Sequence, residues 1–161
     1  AKQRERPVGV WISIPVNFRW YENGQKNREG TIKDGKQDGL EIGWHENGQK
    51  RYESSYRDGK QDGLEIGWYE SGQKSFEGTY KNGKEDGLEI FWYESGQKSK
   101  ERTYKDGNMD GLWTYWYENG QKKYEGIYMD GELTSEECWD KDGNECECEH
   151  LGDVYVFCRQ W

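Results

Sequence analysis

The chain has 161 residues, enough for one ordinary domain, yet only 31% of it is hydrophobic, 34% is charged, the mean hydropathy is −1.34 and the net charge −9. That balance excludes a conventional globular core, and no run approaches the ~18 apolar residues that a membrane helix needs. Simple disorder is excluded as well, because 9 Trp, 12 Tyr and 4 Phe stand beside 22 Gly.

The first element is a strand. Val8, Val10, Ile12, Ile14, Val16, Phe18 and Trp20 alternate without a break and no Asp-Gly turn interrupts them. At ~3.3 Å per residue the stretch 8–20 spans roughly 40 Å, about twice the length of the strands that follow. Residues 1–15 are therefore expected to overhang as an extended strand, with Val8, Val10, Ile12 and Ile14 pairing with another chain. The plainer reading is a simple capping strand. The start at Ala1 fits a mature, secreted chain after signal removal.

Residues 16–129 form five repeats, marked by Trp20, Trp44, Trp68, Trp92 and Trp116 at intervals of 24. Each unit runs through Trp-Tyr-Glu-Asn-Gly-Gln-Lys or a close variant to an Asp-Gly or Asn-Gly turn, so two turn signals predict two strands per unit. A two-residue turn at Asn47 and Gly48 would pair Trp44 with Arg51 and separate the apolar residues. A three-residue loop with Gly48 left-handed instead pairs His45 with Gln49, and predicts Ile42 opposite Tyr52 and Leu40 opposite Ser54. The five tryptophans then share one apolar face with Leu64, Ile66, Phe76, Tyr80, Tyr104, Tyr124 and Tyr128. The odd-numbered aromatics Tyr69, Phe91, Tyr93, Trp113, Tyr115 and Tyr117 are expected partly exposed on the other face. No segment has helical periodicity, so the fold class is all-β: an elongated single-layer sheet of tandem hairpins.

Phe76-Glu77-Gly78-Thr79-Tyr80 and Tyr124-Glu125-Gly126-Ile127-Tyr128, each leading to an Asn-Gly or Asp-Gly turn, resemble the MORN repeat, particularly its bacterial branch often labelled antitoxin. The resemblance covers residues 16–128, with weaker copies where Arg28, Ile32, Ser54, Lys100 and Arg102 replace the usual aromatic or Gly. It implies a twisted sheet of successive hairpins without enzymatic activity, serving as scaffold, membrane-associated platform or protein-binding surface.

Residues 130–161 form an acidic, cysteine-rich cap with ten acidic and two basic residues, whereas residues 1–20 carry four basic and one acidic. A basic, apolar head and an acidic tail suit head-to-tail association; the plain alternative is that the charges keep an elongated sheet soluble. Cys138, Cys146, Cys148 and Cys158 all lie in this cap. A hairpin at residues 139–143 would put Cys138 opposite Cys146, and two disulfides, Cys138 to Cys146 and Cys148 to Cys158, would then staple the cap. A zinc site with His150, or free thiols, are the other options. Disulfides would place the protein outside the cytoplasm, secreted or at the cell surface.

Little in the chain suggests catalysis. His45 fills the slot of Tyr21, Tyr69, Tyr93 and Tyr117, His150 lies in the cap, and Glu22, Glu46, Glu70, Glu94 and Glu118 recur too regularly for a single site. Residues 140–145 suggest a hairpin turn rather than a calcium loop. Lys26, Lys50, Lys74, Lys98 and Lys122 form a ladder, but each has a Glu nearby and the net charge disfavours nucleic acid and anionic lipid; their methylene stems are expected to cover aromatic surface. No cofactor, metal, enzyme activity or membrane span is expected. Two functions remain: a structural protein assembling head to tail into filaments or linear oligomers by β-strand addition, or a module of antitoxin or immunity type that binds another protein through its aromatic face.

Overall fold

Asp-Gly or Asn-Gly pairs at 34–35, 58–59, 82–83, 106–107 and 130–131 set the period of the fold. In the computed structural model, which describes residues 16–151 and 155–158, both members of each pair lie at positive φ, such as 50° at Asp58 and 81° at Gly59. This is the backbone of a type I′ turn, whose twist matches that of the strands it joins. The strands are β1 (Val16–Trp20), β2 (Lys26–Lys33), β3 (Lys36–Trp44), β4 (Lys50–Arg57), β5 (Lys60–Trp68), β6 (Lys74–Lys81), β7 (Lys84–Glu85), β8 (Gly87–Trp92), β9 (Lys98–Lys105), β10 (Asn108–Met109), β11 (Gly111–Trp116), β12 (Lys122–Met129), β13 (Glu132–Trp139), β14 (Glu145–Cys146), β15 (Cys148–Leu151) and β16 (Tyr155–Cys158). All but the last two build one open antiparallel sheet of 14 strands in chain order, with β7 and β10 as short continuations beside β6 and β9. The fold is all-β, as expected. The overhanging strand expected at residues 1–15, with Val8, Val10, Ile12 and Ile14, lies outside the described residues.

The turn after each Trp is the three-residue loop predicted from the sequence. His45 N–H donates to the Gln49 carbonyl at 2.9 Å, Gly48 N–H donates to the His45 carbonyl at 2.9 Å, and Gly48 is left-handed with φ 84°. The strand register beyond it differs from the prediction. Trp44 pairs with Lys50 but Gly43 pairs with Tyr52, leaving Arg51 as an extra residue in a β-bulge. Ile42 therefore faces Glu53 rather than Tyr52, and Leu40 faces Ser55 rather than Ser54. Asn27, Ser75, Ser99 and Lys123 are the corresponding extra residues in the other units. One inserted residue inverts the facing of the whole return strand.

The predicted single apolar ladder thus splits in two. Leu40, Ile42 and Trp44 share a tryptophan face with Ser55, Glu53 and Lys50, while Tyr52, Ser54 and Tyr56 share a tyrosine face with Gly43, Glu41 and Gly39. Phe76, Tyr80, Tyr104, Tyr124 and Tyr128 go with the tyrosine face, opposite to Leu64, Ile66 and Trp68. A second irregularity, where Thr31 alone faces residues 38–40, keeps this arrangement in step from one unit to the next.

A single-layer sheet buries little unless something folds over it. The buried core, Trp113, Tyr115, Tyr124 and Cys138 with Tyr104, Met109 and Tyr128 packed around it, occupies only the C-terminal third of the tyrosine face. Trp113 and Tyr115 are therefore buried, at 3% and 7% exposure, and not the exposed odd-numbered aromatics expected from the sequence. Rings of the same sheet enclose them, Tyr104 and Tyr128 against Trp113 and Tyr124 against Tyr115, while the small two-stranded sheet β15–β16 packs against β12 and β13.

Cys138 lies opposite Cys146, the register the sequence predicts, and Cys148 lies opposite Cys158. Their sulfurs are bonded differently, as Cys138–Cys148 and Cys146–Cys158, with Cα separations of 5.4 and 5.6 Å. Glu147 lies outside both β14 and β15, and the large sheet ends with β14 while β15 pairs with β16 in a separate sheet. Cys148 then meets Cys138, Cys158 meets Cys146, and both bridges join one sheet to the other.

Candidate functional site

Two turn rows hold the units together. Along the loops that follow each Trp, Tyr21, Tyr69, Tyr93 and Tyr117 donate their hydroxyls to the carbonyls of Trp44, Trp92, Trp116 and Trp139 at 2.6–3.0 Å. His45 makes the same contact through Nε2 to the Trp68 carbonyl at 2.8 Å, which explains why it can replace Tyr. Along the opposite row, the N–H of Gly59, Gly83, Gly107 and Gly131 donates to the carbonyl of Gln37, Gln61, Glu85 and Met109 at 2.7–2.8 Å. These residues position the surfaces between the rows.

The tryptophan face alternates apolar and polar strands. Lys26, Lys50, Lys74, Lys98 and Lys122 each pair with the Glu three residues on, at 2.5–2.8 Å. Four of them also lie over the next indole: Lys26 over Trp44, Lys50 over Trp68, Lys74 over Trp92 and Lys122 over Trp139, at 5.0–5.6 Å from the ring centre. The lysine row covers aromatic surface, as the sequence suggests. Alongside it Leu40, Leu64, Leu88 and Leu112 form a row of leucines that are each 42–46% exposed. At the β1 end Phe18 and Trp20 are more open still, at 49% and 59%.

The tyrosine face holds buried charge that sequence reading missed. Glu41 is 3% exposed and accepts hydrogen bonds from Arg28, Gln37 and, at 2.7 Å, the Tyr52 hydroxyl. Burial, and then the bond to Glu41, push the Tyr52 phenol up to about 12. Glu65 repeats the arrangement with Gln61 at 2.7 Å. Glu89, 5% exposed, stands opposite Arg102 and takes a long bond from Tyr80 at 3.4 Å; burial raises its carboxyl above the usual range, against the pull of Arg102. The signal was present in the sequence as a Glu two residues before the penultimate residue of each Trp strand, but the wrong register placed it on the solvent face. At the fourth such position the Glu is replaced by Trp113, and there the ionic row gives way to the aromatic core.

Four consecutive segments, residues 37–58, 61–82, 85–106 and 109–130, match the MORN repeat variant and together make up more than half of the chain. The chain belongs to the MORN repeat family. Each matched segment runs from the start of a Trp strand to the Asp or Asn of the next type I′ turn, so the MORN unit is a Trp strand with its returning partner. The match is to the repeat, and carries no assignment to an antitoxin branch. No curated protein matches the chain. A MORN array is a binding or structural module, and the candidate surfaces here are accordingly its faces and its two end strands.

The remaining sequence candidates are placed as follows. All four cysteines are in disulfides, which removes them from the zinc alternative. His150 contacts Glu136 at 3.0 Å on the surface of the cap. Asp140 accepts from the N–H groups of Asp142 and Asn144 at 2.9 Å each, forming the predicted hairpin turn; these bonds, those from Asn144 foremost, hold its carboxyl below the usual range. Among the described residues no helix is long and apolar enough to cross a membrane.

Proposed function

We propose that this MORN protein is a structural element that extends its sheet from one molecule to the next by β-strand addition. The donor is the N-terminal strand with Val8, Val10, Ile12 and Ile14, and the acceptor is the outer edge of β13. The observation that carries this reading is the open sheet. Among the described residues β1 is paired only with β2, and β13 is paired on its outer side only through Cys138 and Trp139, leaving residues 132–137 without a ladder partner there. An unpaired edge is a template for another strand. Charge supports the polarity: the acceptor carries Glu132, Glu136 and Glu137, while the donor end carries Lys2, Arg4 and Arg6. β1 and β13 run in the same direction across the sheet, so molecules related by simple translation would join through parallel strands. Disulfides in the cap fit an oxidising environment, in keeping with a secreted or surface location. Light scattering with negative-stain imaging of the non-reduced protein tests the proposal. Filaments or linear oligomers that vanish in Ile12→Asp are expected, and a uniform monomer at high concentration, or assembly unchanged in Ile12→Asp, would overturn it.

The exposed leucine row favours one second reading, capture of a different protein on the tryptophan face, as an antitoxin or immunity partner would do. It predicts a monomer or closed dimer and loss of the partner in Leu64→Glu, with the N-terminal strand dispensable.

A further inference from the structure

Strand β9 departs from the pattern of its equivalents at two positions. Where β4, β6 and β12 place Tyr52, Phe76 and Tyr124 on the tyrosine face, β9 places Lys100, as β2 places Arg28; where β2, β4, β6 and β12 have Gly30, Ser54, Gly78 and Gly126, β9 has Arg102. The Lys100 ammonium lies 5.8 Å from the ring centres of both Phe91 and Tyr115. The Arg102 guanidinium lies 5.3 Å from Phe91 and 5.4 Å from Tyr115, and 4.9 Å from Trp113. Two like charges thus share one pair of rings. Lys123, the extra residue of the next bulge, sits 5.8 Å from the Tyr117 ring and within electrostatic reach of Lys100.

The buried carboxylate Glu89 stands opposite Arg102 alone of the three cations. Among the described residues none of Lys100, Arg102 and Lys123 forms an ion pair, whereas every lysine of the ladder on the other face does. The Arg102 Nε–H is buried without an acceptor. Burial, with Arg102 and Lys123 adding to it, pushes the Lys100 ammonium down from its ordinary value. These features oppose folding. Arg102 stands where every other unit has Gly or Ser, and Lys100 shares its position with Arg28 of β2, but Arg28 is paired with Glu41 whereas Lys100 has no carboxylate partner among the described residues. Departure from the rule in a single unit, at a cost to stability, is the mark of a functional position. Phe91 and Tyr117 are half-buried, and cations beside such rings suit a carboxylate whose methylene stem lies on them. Arg and Lys side chains bind phosphate as well as carboxylate, and the half-buried rings beside them favour a ligand with an apolar stem.

We propose that Lys100, Arg102 and Lys123, framed by Phe91 and Tyr117, bind carboxylate side chains of an acidic peptide segment. The test is calorimetric titration of the full, oxidised chain with an acetylated tetraglutamate amide, against the tetraglutamine peptide and inorganic phosphate. Tetraglutamate binding that weakens with salt and exceeds both controls is expected. The double variant Lys100→Tyr with Arg102→Gly restores the residues of neighbouring units, in which the ring lies over the Gly as Phe76 lies over Gly78. It should fold with a raised melting temperature and bind tetraglutamate about ten-fold more weakly or worse; the single variant Lys100→Gln should show part of that loss. Unchanged affinity in the double variant, no binding by the parent, or phosphate bound as tightly as tetraglutamate would each overturn the assignment.

Discussion

Tyr52 and Tyr124 occupy the same position of the MORN unit, yet the structure gives them different weights. Tyr124 is 1% exposed, enclosed by Trp113, Tyr115 and Cys138 beneath the cap, with its ring 5.2 Å from that of Tyr115. Tyr52 is half-buried on an uncovered part of the same face, and its main partner is the Glu41 carboxylate at 2.7 Å. Truncating a fully buried aromatic costs about 3–5 kcal/mol, so Tyr124→Ala should destabilise by about 4 kcal/mol. Tyr52→Ala loses about half that packing and one hydrogen bond to a charged group, for a total of about 2 kcal/mol. In a repeat array these losses are local, since each unit leans only on its neighbours. Hydrogen exchange read by mass spectrometry on the oxidised protein resolves them. In the parent, protection should be greatest in β11–β13 and fall towards β1; Tyr124→Ala should collapse the first, and Tyr52→Ala should open only β3 to β5. Equal losses from the two substitutions, or uniform protection along the array, would refute the view that the cap creates the one real core.

Three further outcomes are expected. Cleavage after Glu145, Glu147 and Glu149 in the non-reduced protein separates the cysteines, and mass spectrometry should recover Cys138 bonded to Cys148 and Cys146 to Cys158; a Cys138–Cys146 peptide would contradict the crossed staple. A Cβ at Gly43 would overlap the Tyr52 ring, so Gly43→Ala should destabilise by about 1–3 kcal/mol, and Tyr52→Ala should relieve the penalty in a double-mutant cycle. The folded-state value of Tyr52, about 12, lies above its unfolded value near 10. The stability this phenol contributes is therefore fully present below pH ~10 and lost as the pH rises towards 12; the difference in alkaline unfolding midpoint between parent and Tyr52→Phe measures it.

Turns were the most legible part of the sequence, because Asp-Gly, Asn-Gly and the Gly after each Trp loop admit few backbone conformations. From them came the number of strands and the loop that pairs His45 with Gln49. The facing of the return strands was not legible. It depends on single residues such as Arg51 and Ser75, which are ordinary in a strand and carry no mark of a bulge. That one insertion moved the tyrosines away from the tryptophans, hid Glu41 and Glu89, and buried Trp113. The crossing of the disulfides was hidden for a related reason, as it follows from β15 and β16 forming a separate sheet and not from the cysteine spacing.

The ends of the turn row argue for how such a molecule can join another. Each Tyr hydroxyl, or His45, reaches forward to the Trp carbonyl of the next unit, and the last rung is Tyr117 to Trp139. The residue that would carry the ladder onward is Asp140, and its carboxylate turns back onto Asp142 and Asn144. A further unit stacked at this end would therefore lose one of the two bonded rows that fasten every internal unit, about 1 kcal/mol per missing hydrogen bond. The edge of β13 is not closed in this way. Association that copied the internal repeat contact is thus weakened by the sequence at residue 140, while association through strand pairing is left open. Asp140→Tyr discriminates between the two. If molecules join by repeat-like stacking it should strengthen assembly; if they join through strand edges it should leave assembly unchanged while Ile12→Asp abolishes it.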